Sequence, residues 1–244
     1  NKAFVPYIMA GDGGLDNLND RLRFLQESGA TVVELGIPFS DPVADGPTIQ
    51  EAGLRALAHG VSLRAVLEKL AETKESRTLP IVLMTYINPI YAYGVEEFAK
   101  ACDDAGVNGL IIPDVPLEEE GLIVQSLREY EIALIRLAAL TSPKKRLVEI
   151  AKRTEGFLYA VTVTGTTGAR SGFQENLAQH LQDLKEICDA PVLAGFGVST
   201  PEHVRELSAS CDGVVVGSRI VDLLHKGELD TIAELVGSAK VSEK

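Results

Sequence analysis

Eight short apolar runs recur along the chain at fairly even intervals, and the segments between them carry apolar residues every three to four positions. The runs cover residues 4–9, 31–37, 81–86, 107–112, 133–137, 157–163, 192–196 and 214–216. Each run is continuous rather than alternating, which is typical of a strand buried on both faces of a parallel sheet. The pattern therefore predicts eight parallel strands.

The segments between the runs have the periodicity of amphipathic helices. Three clear apolar stripes comprise Leu63, Val66, Leu67 and Leu70; Val95, Phe98, Ala99 and Cys102; and Leu177, Leu181, Leu184 and Cys188. Thr200 before Pro201 is typical of a helix start, because threonine caps the first turn and proline fits the first helical position. Gly29, Gly106 and Gly156 stand where predicted helices end. Strands and helices are therefore predicted to alternate.

The 244 residues accommodate eight strand–helix units of about 30 residues each, close to the usual size of such a unit. No linker, low-complexity segment or shift in composition divides the chain. We therefore predict an α/β fold, a single (β/α)8 TIM barrel that occupies residues 1–244. An open doubly wound sheet is the alternative architecture, because it is built from the same units.

Composition restricts the partners of such a barrel. The sequence contains 23 basic and 35 acidic side chains, and the net charge of −12 disfavours binding to nucleic acid or to an anionic membrane. No apolar run approaches the roughly 18 residues that span a bilayer, and the first one is too short for a signal peptide. Three cysteines without a Cys-x-x-Cys pair indicate buried thiols rather than disulfides or a zinc site. These features predict a cytoplasmic protein.

TIM-barrel enzymes carry their chemistry at the carboxyl ends of the strands, and Glu34 is the most unusual residue in that region. It interrupts the apolar second run, where an unpaired charge would be costly. One interpretation is a structural ion pair with Arg136, which interrupts the fifth run in the same way. The other is a proton-transfer group whose pKa is raised by desolvation.

The loop of residues 38–47 contains three prolines and two aspartates, Asp41 and Asp45. Either aspartate could cap a helix that begins near Thr48. Asp45 also provides a second carboxyl group near Glu34, and two acids with different pKa values are the pair that acid–base catalysis uses. We therefore interpret Asp45 as functional, whereas a cap and a functional role are equally open for Asp41.

Glycine clusters follow the last three predicted strands. They are Gly165-Thr166-Thr167-Gly168, Gly195-Phe196-Gly197 and Gly217-Ser218. Exposed backbone amides in this part of a barrel can hold a phosphate, and the last cluster stands at the start of a short predicted helix. The glycines could equally be steric, and a dinucleotide fingerprint is incomplete because its third glycine is missing.

Histidine and lysine are absent from the predicted strand ends. This argues against a catalytic metal site and against a Schiff-base aldolase. Backbone amides are therefore the expected phosphate ligands, with Arg219 as the competing source of positive charge.

One long motif carries a family resemblance. Residues 34–50, ELGIPFSDPVADGPTIQ, resemble the signature of the tryptophan synthase alpha subunit family. Further matches in the family's order are residues 4–7, 11–12, 84–89, 114–116, 167–168, 195–197 and 217–218. The resemblance spans nearly the whole chain, and the motif of residues 34–50 is its most specific part.

The resemblance implies a lyase of tryptophan biosynthesis that cleaves indole-3-glycerol phosphate to indole and glyceraldehyde 3-phosphate by a retro-aldol reaction. Such a chain needs no cofactor and no metal of its own. It passes indole to a beta subunit that carries pyridoxal phosphate, in an alpha2beta2 heterotetramer. By the same resemblance, Glu34 moves protons between the glycerol hydroxyl and indole C3, and Asp45 stabilises charge at the indole N–H.

The substrate-binding residues are likewise implied by the resemblance. The indole pocket is expected to be formed by Tyr7, Met84, Ile111 and Tyr159. The phosphate is expected at Gly168, Gly197, Gly217 and Ser218, with Gly195 as a further substrate-binding residue and Thr167 on a loop that closes the site. Tyr7 departs from the family, in which phenylalanine is common at this position.

The beta subunit is expected to dock on a rim formed by Asp41, Pro42 and residues 89–93, although Tyr91 and Tyr93 could equally pack on the barrel. Two other functions stay open from the sequence. A different phosphate-binding barrel, such as a sugar-phosphate epimerase, is disfavoured by the absence of histidines at the strand ends. A barrel that only activates a partner is disfavoured by the presence of both Glu34 and Asp45.

Overall fold

The apolar runs form strands of one parallel sheet. The computed structural model describes residues 2–161, 170–195 and 197–240, with the backbone alone for residues 170–175. Over these residues the strand segments are β1 (Ala3–Met9), β2 (Val33–Gly36), β3 (Ile81–Met84), β4 (Gly109–Ile111), β5 (Ala133–Leu134), β6 (Arg136–Ala139), β7 (Leu158–Val161), β8 (Val192–Gly195) and β9 (Gly213–Val216).

The order of neighbours in the sheet closes it into a barrel. It runs β5-β4-β3-β2-β1-β9-β8-β7-β6, and every pairing is parallel. Ile135 alone separates β5 from β6, and its N–H donates to the Leu110 carbonyl at 2.9 Å. The fifth run is therefore one barrel strand with a break: its first half pairs with β4 and its second half with β7. The predicted TIM barrel is confirmed, and the open doubly wound sheet is wrong.

Several strands are shorter than their apolar runs. Ile37 and Ile112 follow β2 and β4 and are still buried, although they lie beyond the regular strand pairing. Apolar character continues there because the loops above the barrel cover these side chains.

Helices connect the strands and cover the barrel. They are α1 (Leu18–Ser28), α2 (Pro47–Ala58), α3 (Leu63–Ala71), α4 (Ile87–Tyr93), α5 (Val95–Asp104), α6 (Gly121–Glu129), α7 (Lys144–Arg153), α8 (Arg170–Ile187), α9 (Pro201–Ser210), α10 (Ser218–Lys226) and α11 (Leu229–Gly237), with a short 3-10 helix at Leu15–Asn17. Each predicted apolar stripe is buried, except that Val95 is only partly so. The Thr200 hydroxyl caps α9 by accepting from the His203 N–H, as predicted.

The barrel interior below the mouth is filled by one apolar cluster. Its buried members are Val5, Val82, Ile111, Ile135, Phe157, Leu193 and Val215. Met84 and Tyr159 are partly buried and pack on this cluster, at the level where polar side chains begin to line the barrel. Larger clusters fill the space between the sheet and the helices, which makes the strands a rigid support for the mouth.

The three cysteines are buried free thiols, as predicted. Among the helices of the described ranges, none combines the length with the apolar character that crossing a bilayer requires.

Candidate active site

A cavity of about 310 Å³ opens at the carboxyl ends of the strands. It is lined by Tyr7, Glu34, Ala44, Asp45, Gly46, Ile49, Met84, Tyr159, Gly195, Gly197, Val198, Ser199, Val215, Gly217, Ser218 and Arg219. The predicted site residues all line it except Ile111, Thr167 and Gly168. Ile111 is 1% exposed and belongs to the apolar cluster beneath the cavity, where it contributes to the floor rather than to the wall. Thr167 and Gly168 lie outside the described residues.

Glu34 lies at the bottom of this cavity, in the middle of β2. It is only 3% exposed, and its Oε2 has no hydrogen-bond partner among the described residues. Burial raises the pKa of Glu34 to about 8, and the charge of Asp45 acts in the same direction. The carboxyl group is therefore mainly protonated at neutral pH, which avoids the cost of a buried charge and leaves a proton available to a ligand.

Arg136 does not pair with Glu34, so the proposed ion pair across the barrel is wrong. Its Nε donates to Glu120 Oε2 at 2.8 Å, and its Nη1 donates to the carbonyls of Leu134 and Arg153. Arg136 follows the strand break at Ile135 and belongs to the cluster of charges at the start of α6. Its charge is satisfied there, which leaves Glu34 unpaired.

Asp45 reaches the cavity from the loop between β2 and α2. Burial raises the pKa of Asp45 to about 6, while a hydrogen bond with Tyr86 acts to lower it. The cavity therefore holds two carboxyl groups of different acidity. At neutral pH Asp45 is mainly ionised and Glu34 is mainly neutral.

Tyr86 supports the loop that carries Asp45, and sequence reasoning missed this role. Its hydroxyl accepts a hydrogen bond from the Ala44 N–H at 3.0 Å, and its ring lies 5.3 Å from the ring of Phe39. The only signal in the sequence is that Tyr86 directly follows the third strand. Tyr86 links that strand end to Asp45 through these contacts.

Neither aspartate of this loop caps α2. The helix begins after Gly46 without a capping hydrogen bond from a side chain. Asp41 is exposed and accepts from the hydroxyl of Ser40 at 2.5 Å. The capping alternative is therefore wrong for both Asp41 and Asp45.

Two glycines make room for the aromatic walls of the cavity. A Cβ on Gly36 would lie 1.9 Å from the Tyr7 hydroxyl, and a Cβ on Gly195 would lie 2.4 Å from the ring of Tyr159. These contacts are far below van der Waals distance, so no larger residue fits unless the tyrosines move. The steric interpretation thus holds for Gly195, which lines the cavity as well.

The other glycines border the mouth of the cavity. Gly197 has a φ of +50°, and a Cβ placed on it would meet nothing within 4 Å. Gly217 precedes α10, whose first turn starts at Ser218 and whose first amides have no acceptor within the helix. Open space above Gly197 and free amides at α10 together suit an anion. Arg219 also borders the cavity, and its Nη1 lies 3.5 Å from Asp222 Oδ2.

Two aromatic residues of the rim differ in their environment. Tyr91 is 45% exposed, whereas Tyr93 packs against Phe98 and lies under the guanidinium of Arg64 at 4.3 Å. Tyr93 therefore packs on the barrel, and Tyr91 is available at the surface.

Candidate metal ligands are not clustered in the described part of the chain. No group of three or more histidine, cysteine, aspartate or glutamate side chains there is arranged to hold a metal ion. The polar groups available in the cavity are therefore carboxyls, hydroxyls, backbone amides and one guanidinium.

The fold and the cavity define a TIM barrel whose candidate active site holds two carboxyl groups of different acidity. The family model for the tryptophan synthase alpha chain matches residues 1–243. The tryptophan synthase alpha chain of Oceanobacillus iheyensis is 61% identical over 233 residues, which are 96% of this chain and 89% of that protein. The Bacillus cereus protein of the same name is 52% identical over 243 residues, which are 100% of this chain and 94% of that protein.

Solved structures agree with these relatives. A tryptophan synthase from M. tuberculosis superposes with a TM-score of 0.88 at 30% identity, over 99% of this chain and 93% of that one. The alpha subunit from Legionella pneumophila superposes with a TM-score of 0.88 at 33% identity, over 98% of this chain and 91% of that one. The chain belongs to the tryptophan synthase alpha chain family. It is a carbon–carbon lyase that cleaves indole-3-glycerol phosphate in tryptophan biosynthesis.

Proposed function

We propose that Glu34 and Asp45 divide the proton chemistry of this cleavage. Glu34 starts protonated and gives its proton to C3 of the indole ring, which leaves the ring as a cationic indolenine. Asp45 is ionised and accepts a hydrogen bond from the ring N–H, where the positive charge develops. The observation that carries this assignment is the difference between the two pKa values in one cavity, about 8 for Glu34 and about 6 for Asp45.

The second half of the reaction returns Glu34 to its starting state. The Glu34 carboxylate takes the proton of the glycerol hydroxyl next to the ring. The oxygen electrons then form the aldehyde of glyceraldehyde 3-phosphate, the carbon–carbon bond breaks, and its electron pair returns to the indole ring. No proton is gained or lost overall, so a single buried carboxyl can act first as the acid and then as the base.

The walls of the cavity support this assignment of substrate positions. Tyr7, Met84 and Tyr159 provide apolar and aromatic surface beside Glu34, which suits the indole ring. Gly197, Gly217 and Ser218 also line the cavity, where amides at the start of α10 suit a phosphate. In this proposal the loop with Thr167 and Gly168 contributes to phosphate binding as well.

We also propose the partner and the setting. The family implies a beta subunit; in this proposal it forms an alpha2beta2 complex with this chain, holds pyridoxal phosphate and receives indole. The chain itself uses no cofactor and works in the cytoplasm. Val43 at 82% exposed, the exposed Asp41 and Tyr91 form apolar and polar surface next to the mouth, which supports docking there.

The test is indole release from indole-3-glycerol phosphate, measured with and without a beta subunit. Glu34→Gln preserves the shape of the side chain but cannot transfer a proton, so release should fall at least about 100-fold. Glu51→Gln, on an exposed position of α2, is the matched control and should keep full activity. Near-normal turnover of Glu34→Gln would refute the assignment.

A further inference from the structure

A second cavity, of about 210 Å³, lies in the gap between the fourth and fifth strands of the barrel. Above the break at Ile135 the two strands separate, because β6 pairs with β7 alone. The cavity shares no lining residue with the catalytic one. Its apolar wall includes Ile112, Val115, Leu137 and Ile150, and it reaches the start of α7.

A buried guanidinium forms part of this wall. Arg136 is 7% exposed, and its Nε and Nη1 donate to Glu120 and to two backbone carbonyls. Its Nη2 donates to no acceptor among the described residues. This nitrogen is accessible to solvent and belongs to a residue that lines the cavity, so it is available to a ligand there.

The charged groups around the cavity form ion pairs. Glu120 is shared by Arg136 at 2.8 Å and Arg153 at 3.1 Å, and Arg146 holds both oxygens of Glu118 at 2.6 and 3.1 Å. Glu149 also acts on the charge of Arg146, so three carboxylates balance the three guanidinium groups. Hydrogen bonds from Arg146 hold the pKa of Glu118 down at about 2, so its carboxylate stays ionised.

We propose that this cavity binds a small monocarboxylate with an apolar, ring-sized body. The carboxylate accepts from Arg136 Nη2, from Arg146 and from the Ser142 hydroxyl, and the body packs on Ile112 and Leu137. Two guanidinium groups in the lining suit a carboxylate, and the volume suits one aromatic ring with a short chain. The site shares no lining residue with the catalytic cavity.

The probe is 3-phenylpropionate, titrated calorimetrically into the full chain saturated with indole-3-propanol phosphate, which occupies the catalytic cavity. The neutral 3-phenylpropionamide has the same shape, so it should bind at least about tenfold more weakly, because a charge-assisted hydrogen bond is worth about 1.5–3 kcal/mol. Absence of binding, displacement by the indole analogue, or equal affinity of acid and amide would overturn the proposal.

Variants locate the site. Arg146→Gln should weaken binding of 3-phenylpropionate about tenfold, since it removes a donor and leaves Glu118 unpaired. Ala139→Leu fills the cavity and should abolish binding. Arg128→Gln is the matched control, because it also removes an exposed arginine of an ion pair but lies outside the cavity, and it should leave the affinity unchanged. Unchanged binding in Arg146→Gln, which is exposed enough to fold normally, would contradict the assignment.

Discussion

Glu34 and Tyr7 occupy paired positions on β2 and β1, and both side chains line the same cavity. The Tyr7 hydroxyl reaches over Gly36, two residues after Glu34, where no Cβ obstructs it. Burial raises the pKa of Tyr7 well above its ordinary value, with the charges of Asp45 and Glu34 adding to the effect. The phenol therefore stays neutral and helps to enclose the carboxyl group without changing its charge.

The activity should depend on pH in a bell-shaped way. The proposed mechanism requires Asp45 ionised and Glu34 protonated, so kcat/KM should rise as the pH passes about 6 and fall as it passes about 8. Initial rates of indole release across pH 5–9 measure this. If either limb is missing over pH 5–9, the corresponding protonation state is not needed.

Glu34 should also make the stability of the protein depend on pH. Its pKa is about 8 when folded and ordinary when unfolded, so the folded state keeps a proton that the unfolded state loses. Below the pKa of the unfolded state, Glu34 is protonated in both states and imposes no penalty on folding. Above it, the free energy of unfolding falls as the pH rises toward 8. Glu34→Gln cannot ionise, so it should be more stable than the original chain at pH 8.5, by a few kcal/mol at most.

Urea unfolding of both proteins at pH 5 and pH 8.5 is the appropriate measurement. The gain from Glu34→Gln should be larger at pH 8.5 than at pH 5. A loss of stability at both pH values would instead indicate that Glu34 has a structural partner.

Tyr86→Phe should change the protonation of Asp45 while leaving the cavity in place. The variant loses the hydrogen bond that lowers the pKa of Asp45 and the one from the Ala44 N–H. The acidic limb of the pH profile should therefore move to higher pH by about one pH unit, so activity at neutral pH should fall about twofold and activity near pH 5 about tenfold.

The alkaline limb, which reports Glu34, should keep its position in Tyr86→Phe. Tyr93→Phe is the matched control, because it removes a tyrosine hydroxyl outside the cavity and should leave both limbs unchanged. A purely structural role for Tyr86 would lower activity equally at every pH.

Gly197→Val should discriminate between ligands with and without a phosphate. No described residue lies within 4 Å of a Cβ on Gly197, so in the proposed site a side chain there would occupy the place of the phosphate. Affinity for indole-3-glycerol phosphate and glycerol phosphate should fall much more than affinity for indole propanol, as measured by calorimetry. Arg219→Ala should matter less, because the amides of α10 remain.

The backbone of Gly197 has a positive φ, so the substitution also introduces strain. Gly60→Val is a control for this effect, since Gly60 has a φ of +70°, has open space around it and lies outside the cavity. It should share the loss of stability but keep the affinity for phosphate ligands. Equal losses for phosphate and phosphate-free ligands in Gly197→Val would refute phosphate recognition there.

The architecture and the presence of Glu34 and Asp45 at one end of the barrel could be predicted from the sequence alone. Continuous apolar runs and helical stripes encode which residues are buried, and burial is a local property that periodicity reports directly. Glu34 was recognisable because a carboxyl group inside such a run contradicts its surroundings. Asp45 was recognisable because it shares a stiff loop with the end of the same strand.

The tertiary structure alone shows which side chains contact each other across the barrel. Glu34 and Arg136 interrupt their strands in the same way, yet Arg136 pairs with Glu120. Its neighbours Ile135 and Leu137 face the barrel interior, so Arg136 faces the helices outside. The packing of Gly195 against Tyr159 and the link from Tyr86 to Asp45 likewise join residues far apart in the chain. Such contacts depend on distances between elements, and a single sequence records only the residues and not the distances between them.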